Sequence, residues 1–242
     1  MTEFAEIWTY LSTDPLLWLT LTLATYGIGD TLFKASGQKP YVNPVLIAVA
    51  FLAVLLQLTG TSYNTYFEGA KFVHFMLGPA TVALAIPLYS NLSHIKQAAL
   101  PMAAALVTGS LSAMLSAVGI AAAFGLDTEI LLALIPKSAT APVALGVSEA
   151  IGGSPSMTAV FVITTGITGA IIATPLLNLL GITDWRARGF AVGVASHGIG
   201  TARAFQVNET AGAFSGIGMG LNALLTALIA PLVARWLLGG QL

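Results

Sequence analysis

The stretch PKSATAP, residues 136–142, interrupts a segment of the sequence that is otherwise apolar. Two further apolar segments are interrupted in the same way, by LGPAT at residues 77–81 and by SHGIGTAR at residues 196–203. Backbone that is not helical survives inside a bilayer only where it is buried in protein or lines a watery cavity. The three stretches therefore predict broken helices around a cavity that binds a solute.

The composition is that of an integral membrane protein. Of the 242 residues, 56% are hydrophobic and 8% are charged, whereas about a quarter of a soluble domain is charged. Each helical crossing uses about 20 residues, so the chain has room for roughly eight crossings and no separate soluble domain. We predict an all-α polytopic protein, a single transmembrane domain over residues 1–242. Its hydrophobic segments number about 7–8, among them 129–151 and 189–207.

Several function classes are excluded by what the sequence lacks. Cysteine is absent, which rules out disulfides, thiolate metal sites and cysteine nucleophiles. The net charge is -1 and no Lys/Arg cluster occurs, which argues against a nucleic-acid partner. The sequence has no dinucleotide-binding loop and no histidine pair with the spacing of a zinc protease. We therefore expect no enzyme activity, no metal and no cofactor.

Positive side chains in short loops set the expected orientation. We place these residues in the cytoplasm, namely Lys34, Lys39, Lys96, Arg186, Arg188 and Arg235. Eight simple crossings would put Arg186 and Arg188 on the other side. The conflict disappears if the segment 129–151 enters the membrane and returns to its own side, which Pro136 and Pro142 favour.

That topology also predicts an inverted repeat. The motifs Gly78-x-x-Thr81 and Gly198-x-x-Thr201 lie about half a chain length apart, in segments that would run in opposite directions. We therefore divide the chain into two inverted halves, pseudo-repeats at about 15–124 and 129–238, with their broken helices near the bilayer midplane. Interrupted segments at corresponding positions of inverted halves indicate the binding site of a transporter.

Lys137 is the first candidate for a ligand contact. It lies between two prolines, beside Ser138 and Thr140, where hydroxyls and unwound backbone suit a carboxylate. The alternative is a lysine that extends to the membrane interface. We predict that Lys137, Ser138 and Thr140 bind substrate, together with Thr81 of the first interrupted segment.

The interruption after Ser196 supplies a second set of groups. In a broken helix, the N–H groups of the following half-helix point into the break and favour an anion, so we assign His197, Thr201 and Arg203 to the substrate site. His197 titrates near neutral pH and is a candidate proton carrier; its alternative is a neutral, hydrogen-bonded packing histidine. Arg203 offers a planar fork for a carboxylate, or else forms an interfacial ion pair with Glu209.

Glu149 lies at the end of the apolar run that follows Lys137. Two interpretations stay open for its carboxylate. It is an exposed group at a helix end, or it binds the coupling ion or proton, and the second is slightly favoured because charges inside a membrane segment are usually functional.

Three motifs occur in order along the chain. They are LGPATVALA at residues 77–85, PKSxTxP at 136–142 with SExxGG at 148–153, and HGxGTARA at 197–204. With these motifs the sequence resembles the LrgB/CidB family of membrane proteins over nearly its whole length. The resemblance implies two accounts of activity. Bacterial members are described as holin-like or antiholin-like proteins that influence murein hydrolase export and lysis, often with a small LrgA/CidA membrane partner. Plastid relatives are described as glycolate/glycerate transporters, and some bacterial relatives are linked to pyruvate uptake.

From these observations we predict a multi-pass protein of the bacterial inner membrane that carries small monocarboxylates by alternating access. We expect a homo-oligomer such as a dimer, with a small carboxylate, the lipid bilayer and an LrgA/CidA-like chain as partners. The alternative is a holin-like or antiholin-like regulator of murein hydrolase export and lysis. A wide lytic pore hydrates its charges easily and has no need of Lys137 or His197, whereas a carrier uses them to offset the charge of its ligand.

Overall fold

The computed structural model describes residues 13–83 and 98–237, together with the isolated positions Ile86, Tyr89, Leu92 and Lys96. In these ranges every regular element is an α-helix, which confirms the predicted all-α class. In chain order the helices are α1 (Pro15–Ala35), α2 (Pro44–Thr59), α3 (Tyr63–Phe75), α4 (Leu77–Ala83), α5 (Ala99–Ala123), α6 (Thr128–Leu134), α7 (Ala141–Ala150), α8 (Pro155–Leu179), α9 (Trp185–Val207) and α10 (Glu209–Leu237). The chain forms two compact units that meet in sequence between Thr81 and Val82.

Four of the described helices are long and apolar enough to cross a membrane, namely α1, α5, α8 and α10. A fifth apolar helix, α2, has 16 residues. A multi-pass membrane protein is therefore supported. The predicted 7–8 hydrophobic segments and the two inverted halves at 15–124 and 129–238 are not confirmed by the part of the chain that the structure describes.

The first unit is held together by glycines at helix crossings. A Cβ on Gly29 of α1 would lie 2.8 Å from the carbonyl oxygen of Pro44, the first residue of α2. A Cβ on Gly69 of α3 would lie 2.2 Å from a backbone oxygen of α1. Beside this crossing, the ring of Trp18 is fully buried and meets the ring of Tyr66 edge-on at 5.9 Å. The three helices thus approach closely because their contact positions lack side chains.

In the second unit, residues 128–150 form a helical hairpin, which we call hairpin 1. Helix α6 enters, the backbone unwinds between Ile135 and Thr140, and α7 returns. The return is visible at Thr158 of α8, whose hydroxyl lies 3.0 Å from the carbonyl oxygen of Ala133 in α6 and 2.7 Å from the hydroxyl of Ser148 in α7. The last turn of α6 and the end of α7 are therefore side by side, so the chain reverses within the segment 129–151.

The tip of hairpin 1 reaches the middle of two long helices. The side-chain Nδ2 of Asn222 on α10 donates to the carbonyl oxygen of Ser138 at 3.1 Å, and Asn222 Oδ1 accepts a hydrogen bond from Ser110 on α5. The open end of the hairpin packs elsewhere, because Leu132 shares an apolar cluster with Ala234 in the last turns of α10. Hairpin 1 thus extends about halfway along α5 and α10.

Helix α9 also folds back on itself, at Ser196 and His197, and we call residues 185–207 hairpin 2. His197 has φ 40° and ψ −138°, and Ser196 has φ −130° and ψ 15°, so neither residue is helical. A Cβ on Gly200 would lie 3.0 Å from a methyl carbon of Val192, whereas eight residues of straight helix separate two residues by about 12 Å. The interpretation of 189–207 as one crossing segment is therefore wrong, because the chain reverses at the break.

Glycines of α8 make room for this reversal. A Cβ on Gly166 would lie 2.6 Å from Cε1 of His197, and a Cβ on Gly169 would lie 1.7 Å from Oγ of Ser196. The positive φ of His197 is unfavourable for a residue with a side chain, by about 1–3 kcal/mol. Two hydrogen bonds hold the residue there: Nε2–H of His197 donates to the carbonyl of Val162 at 2.8 Å, and Thr201 donates to the carbonyl of His197 at 2.8 Å.

The two hairpins enter from opposite ends of α8. The returning arm of hairpin 1 ends beside Thr158, near the start of α8. The open end of hairpin 2 lies near its finish, where Nη2 of Arg188 donates to the carbonyl of Thr174 at 3.4 Å and Nη1 donates to that of Ile182 at 2.9 Å. Because α8 has 25 residues, about 37 Å at 1.5 Å per residue, the tips meet near its middle.

Each hairpin follows a long helix that ends in the same way. Helices α5 and α8 both have 25 residues and are followed by a glycine with left-handed φ, 71° at Gly125 and 67° at Gly181. Each hairpin then begins after an aspartate, Asp127 or Asp184. The order of long helix, left-handed glycine, aspartate and hairpin therefore occurs twice within residues 99–207.

The second hairpin also corrects the expected orientation of one basic residue. Early in α10, Ser215 lies against Gly193 of hairpin 2, and late in α10, Ala234 packs with Leu132 of hairpin 1. Arg235 therefore lies at the opposite end of the second unit from Arg186. This arrangement disagrees with a shared location for the two arginines, and the side of the membrane on which each lies stays a prediction.

Single cysteines test the two hairpins, because the chain has none of its own. We expect Thr128→Cys and Ser156→Cys, which flank hairpin 1, to react with a membrane-impermeant maleimide from one face of the membrane. Thr183→Cys and Thr210→Cys, which flank hairpin 2, should react only from the other face. Labelling of Thr128→Cys and Ser156→Cys from opposite faces would show that residues 128–150 cross the membrane.

The glycine contacts on α8 predict a stability difference. Gly169→Ala should destabilise the protein by about 1–3 kcal/mol, because the new methyl group overlaps Ser196. The matched control is Gly146→Ala on α7, where nothing lies within 4 Å of the new Cβ and alanine favours the helix. Thermal unfolding of the two purified variants measures the effect, and equal unfolding temperatures would contradict the close approach.

Candidate functional site

An open cavity of about 490 Å³ lies along α8, between the tips of the two hairpins and the first arm of hairpin 2, and the Ile172 and Leu176 side chains that line it are each 46% exposed. We call it the α8 cavity. Lys137 of hairpin 1 and Ser196 of hairpin 2 both line it. The structure therefore brings one residue from each interrupted segment of the second unit to this cavity, of which Lys137 belongs to the predicted site and Ser196 does not.

Lys137 is the cation of the α8 cavity. It is half-buried, and its Nζ donates to Oγ of Ser138 at 3.2 Å. The ion pairs of the described residues join other side chains, so no carboxylate there neutralises Lys137. An ammonium group in an apolar setting is stabilised by an opposite charge, and the cavity beside it has room for an anion.

Two hydroxyl residues follow Lys137 at the tip of hairpin 1. Ser138 is buried, and its carbonyl oxygen accepts from Asn222. Thr140 directly precedes α7, and its buried Oγ1 has no hydrogen-bond partner among the described residues. A buried hydroxyl without a partner costs about 1–3 kcal/mol, and the first N–H groups of a helix also lack partners within the helix. The tip therefore holds a buried hydroxyl, that of Thr140, without a partner among the described residues.

His197 and Thr201 of hairpin 2 are buried and bonded to protein groups. The hydroxyl of Thr201 lies 2.9 Å from that of Ser215, in addition to its bond to the carbonyl of His197. Val162, whose carbonyl accepts from His197, packs against Ala139 of hairpin 1. The two tips therefore meet at one residue of α8. These bonds agree with a packing role for His197, and its role in binding substrate or a proton stays a prediction.

The other predicted residues lie apart from the α8 cavity. Arg203 is on the returning arm of hairpin 2 and lines a smaller cavity with Trp185 and Arg188, at the open end of that hairpin. Glu149 is exposed at the end of α7, at the open end of hairpin 1. Thr81 belongs to α4, and its side chain lies outside the described part of the chain. The structure therefore does not join Arg203 and Glu149 to Lys137.

Polar residues that the sequence analysis missed also contribute to this region. The α8 cavity is lined by Thr164, Thr165 and Thr168, and the hairpin 1 tip depends on Ser110 and Asn222. Threonine is common in membrane helices, so the three threonines give little signal. Asn222 is different, because it lies in the middle of a mostly apolar helix of 29 residues. Burying an amide there costs free energy unless the amide is hydrogen-bonded, so Asn222 indicates a polar contact from the sequence alone.

Asn222 should hold the tip of hairpin 1 in place. Asn222→Ala leaves the buried carbonyl of Ser138 without its donor, at a cost of about 1–3 kcal/mol. We expect Ala139→Cys, at a buried position of the tip, to react faster with a thiol reagent in this background, by about tenfold for each 1.4 kcal/mol. Asn178→Ala, at an exposed asparagine of α8, is the control, and an unchanged rate with Asn222→Ala would refute the anchor.

The chain is similar to proteins of one family. The LrgB-like family matches residues 22–236. The protein "Uncharacterized protein YxaC" of Bacillus subtilis (strain 168) is 37% identical over 219 residues, which cover 90% of this chain and 94% of the relative. "Holin-like protein CidB" of Staphylococcus aureus (strain Mu50 / ATCC 700699) is 35% identical over 218 residues, which cover 90% and 95%. No solved structure gives a significant match.

Proposed function

We propose a regulatory function for this chain, which belongs to the LrgB-like family. In this proposal it is a holin-like or antiholin-like membrane protein that regulates murein hydrolase export and cell lysis. The support is the family match over residues 22–236 and the name of the CidB relatives. These comparisons favour this function over the carboxylate carrier predicted from the sequence, since neither the family description nor those relatives' names mention a carboxylate.

A second candidate function, transport of small monocarboxylates by alternating access, rests on one observation. Two hairpin tips that enter from opposite ends of α8 meet beside a cavity with the cation Lys137. Broken helices that meet from opposite sides are typical of carriers, where each closes the site from one side. A wide water-filled pore would hydrate Lys137 without such an arrangement.

Both candidates use the same setting. The protein lies in the bacterial inner membrane as a multi-pass protein and works as a homo-oligomer such as a dimer. A small LrgA/CidA-like membrane protein is its partner under the first candidate. It performs no chemistry on what it binds, so glycolate, glycerate or pyruvate would cross unchanged under the second.

Liposomes that contain the purified protein separate the two candidates. A carrier should take up labelled glycolate or pyruvate saturably and keep an entrapped dye inside. Lys137→Gln should reduce this uptake at least tenfold, because the anion loses its opposite charge. The control is Lys71→Gln, at an exposed lysine of α3 that pairs with Glu68.

Three results decide the matter. Release of the dye without selectivity would support a pore and contradict the carrier. Saturable uptake that Lys137→Gln leaves unchanged would contradict the site at the hairpin tips. If the protein neither takes up carboxylates nor releases dye by itself, but alters dye release by an LrgA/CidA-like protein, the regulatory function is supported.

A further inference from the structure

The α8 cavity has a polar end and an apolar end. Four residues spaced by four positions on α8 line it, Thr164, Thr168, Ile172 and Leu176, and this spacing places them on one face of the helix. From Thr164 to Leu176 the helix rises about 18 Å. Hydroxyls therefore give way to aliphatic side chains along a single groove.

Charge is found only at the polar end. Lys137 and Ser196 line the cavity near the hairpin tips, beside the threonines. Toward the finish of α8 the lining is Leu177, Val192, Ala191 and Ala173, in addition to Ile172 and Leu176. None of these side chains carries a polar atom, so the apolar end offers nothing to the hydroxyl groups of a ligand.

We propose that the α8 cavity binds a monocarboxylate with an aliphatic chain, its carboxylate at Lys137 and its chain along Ile172 and Leu176. The proposal rests on the second candidate function and narrows the ligand from small hydroxy acids to acids that fill both ends. A volume of about 490 Å³ exceeds what a two-carbon or three-carbon acid occupies. Such an acid would contact Lys137 and leave the aliphatic lining unused.

The depth of Lys137 argues against a membrane phospholipid as the occupant. A phospholipid keeps its charged headgroup at the interface and its chains in the bilayer core. In the α8 cavity the order is reversed, because the cation lies at the hairpin tips near the middle of α8 and the aliphatic lining extends toward its end. A free acid that enters from the aqueous side can adopt this order.

The test is equilibrium binding to the full chain in phosphatidylcholine nanodiscs, with empty nanodiscs as the blank. The probes are acetate, butanoate, hexanoate and glycolate. We expect the dissociation constant to fall about threefold to fourfold for each added methylene, the usual effect of burying one. Glycolate should bind no more tightly than acetate.

Matched variants assign the two ends of the groove. Lys137→Gln should weaken binding of all the acids at least tenfold, and Lys137→Arg should retain binding if the charge is what matters. Ile172→Ser should weaken hexanoate about fivefold or more and leave acetate unchanged. Leu179→Ser, at an exposed leucine on α8 that does not line the cavity, should change neither.

Each contrary result has a separate meaning. Glycolate bound as tightly as hexanoate would overturn this proposal and leave the small-carboxylate candidate intact. The absence of carboxylate binding above the blank would overturn both. A gain with chain length that is insensitive to Lys137→Gln would identify partition into lipid, and loss of hexanoate binding in phosphatidylglycerol nanodiscs would identify a lipid headgroup at Lys137; either overturns the proposal.

Discussion

The structure of the second unit depends on two side-chain hydrogen bonds to backbone carbonyls at the hairpin tips, in the interior of an apolar protein. Each hairpin tip interrupts a helix, and a carbonyl at each tip accepts a hydrogen bond from a side chain. Asn222 donates to the carbonyl of Ser138 in hairpin 1, and Thr201 donates to that of His197 in hairpin 2. Since a buried polar group without a partner costs about 1–3 kcal/mol, these two side chains allow non-helical backbone to persist beside a cavity.

The second candidate function depends on where those tips meet. Gly166 and Gly169 let hairpin 2 approach α8 closely, and Val162 contacts both tips. Lys137 is then the charge nearest to a junction that two independent structural elements close.

The sequence predicts part of this arrangement and misses part for physical reasons. Two prolines six residues apart, Pro136 and Pro142, disfavour a continuous helix, so the return of the segment 129–151 is predictable. Hairpin 2 is not, because the reversal depends on a positive φ at His197, a residue type that gives no such signal, and on glycines of another helix. The sequence predicts a repeat between the two halves of the whole chain. The signals that the two hairpins share, a glycine followed by an aspartate, lie instead at residues 125–127 and 181–184.

The short arms of hairpin 1 have a consequence for biogenesis. Helices α6 and α7 have 7 and 10 residues, so each spans about 10–15 Å of a hydrocarbon layer about 30 Å thick. Neither arm is long enough for the translocon to insert as an independent span. Asn222, which donates the hydrogen bond to the tip of hairpin 1, is on α10. The ribosome synthesises α10 well after the hairpin. Hairpin 1 therefore reaches its final depth only after synthesis of the C-terminal helix, and a nascent chain stalled before that point would retain an unfinished site.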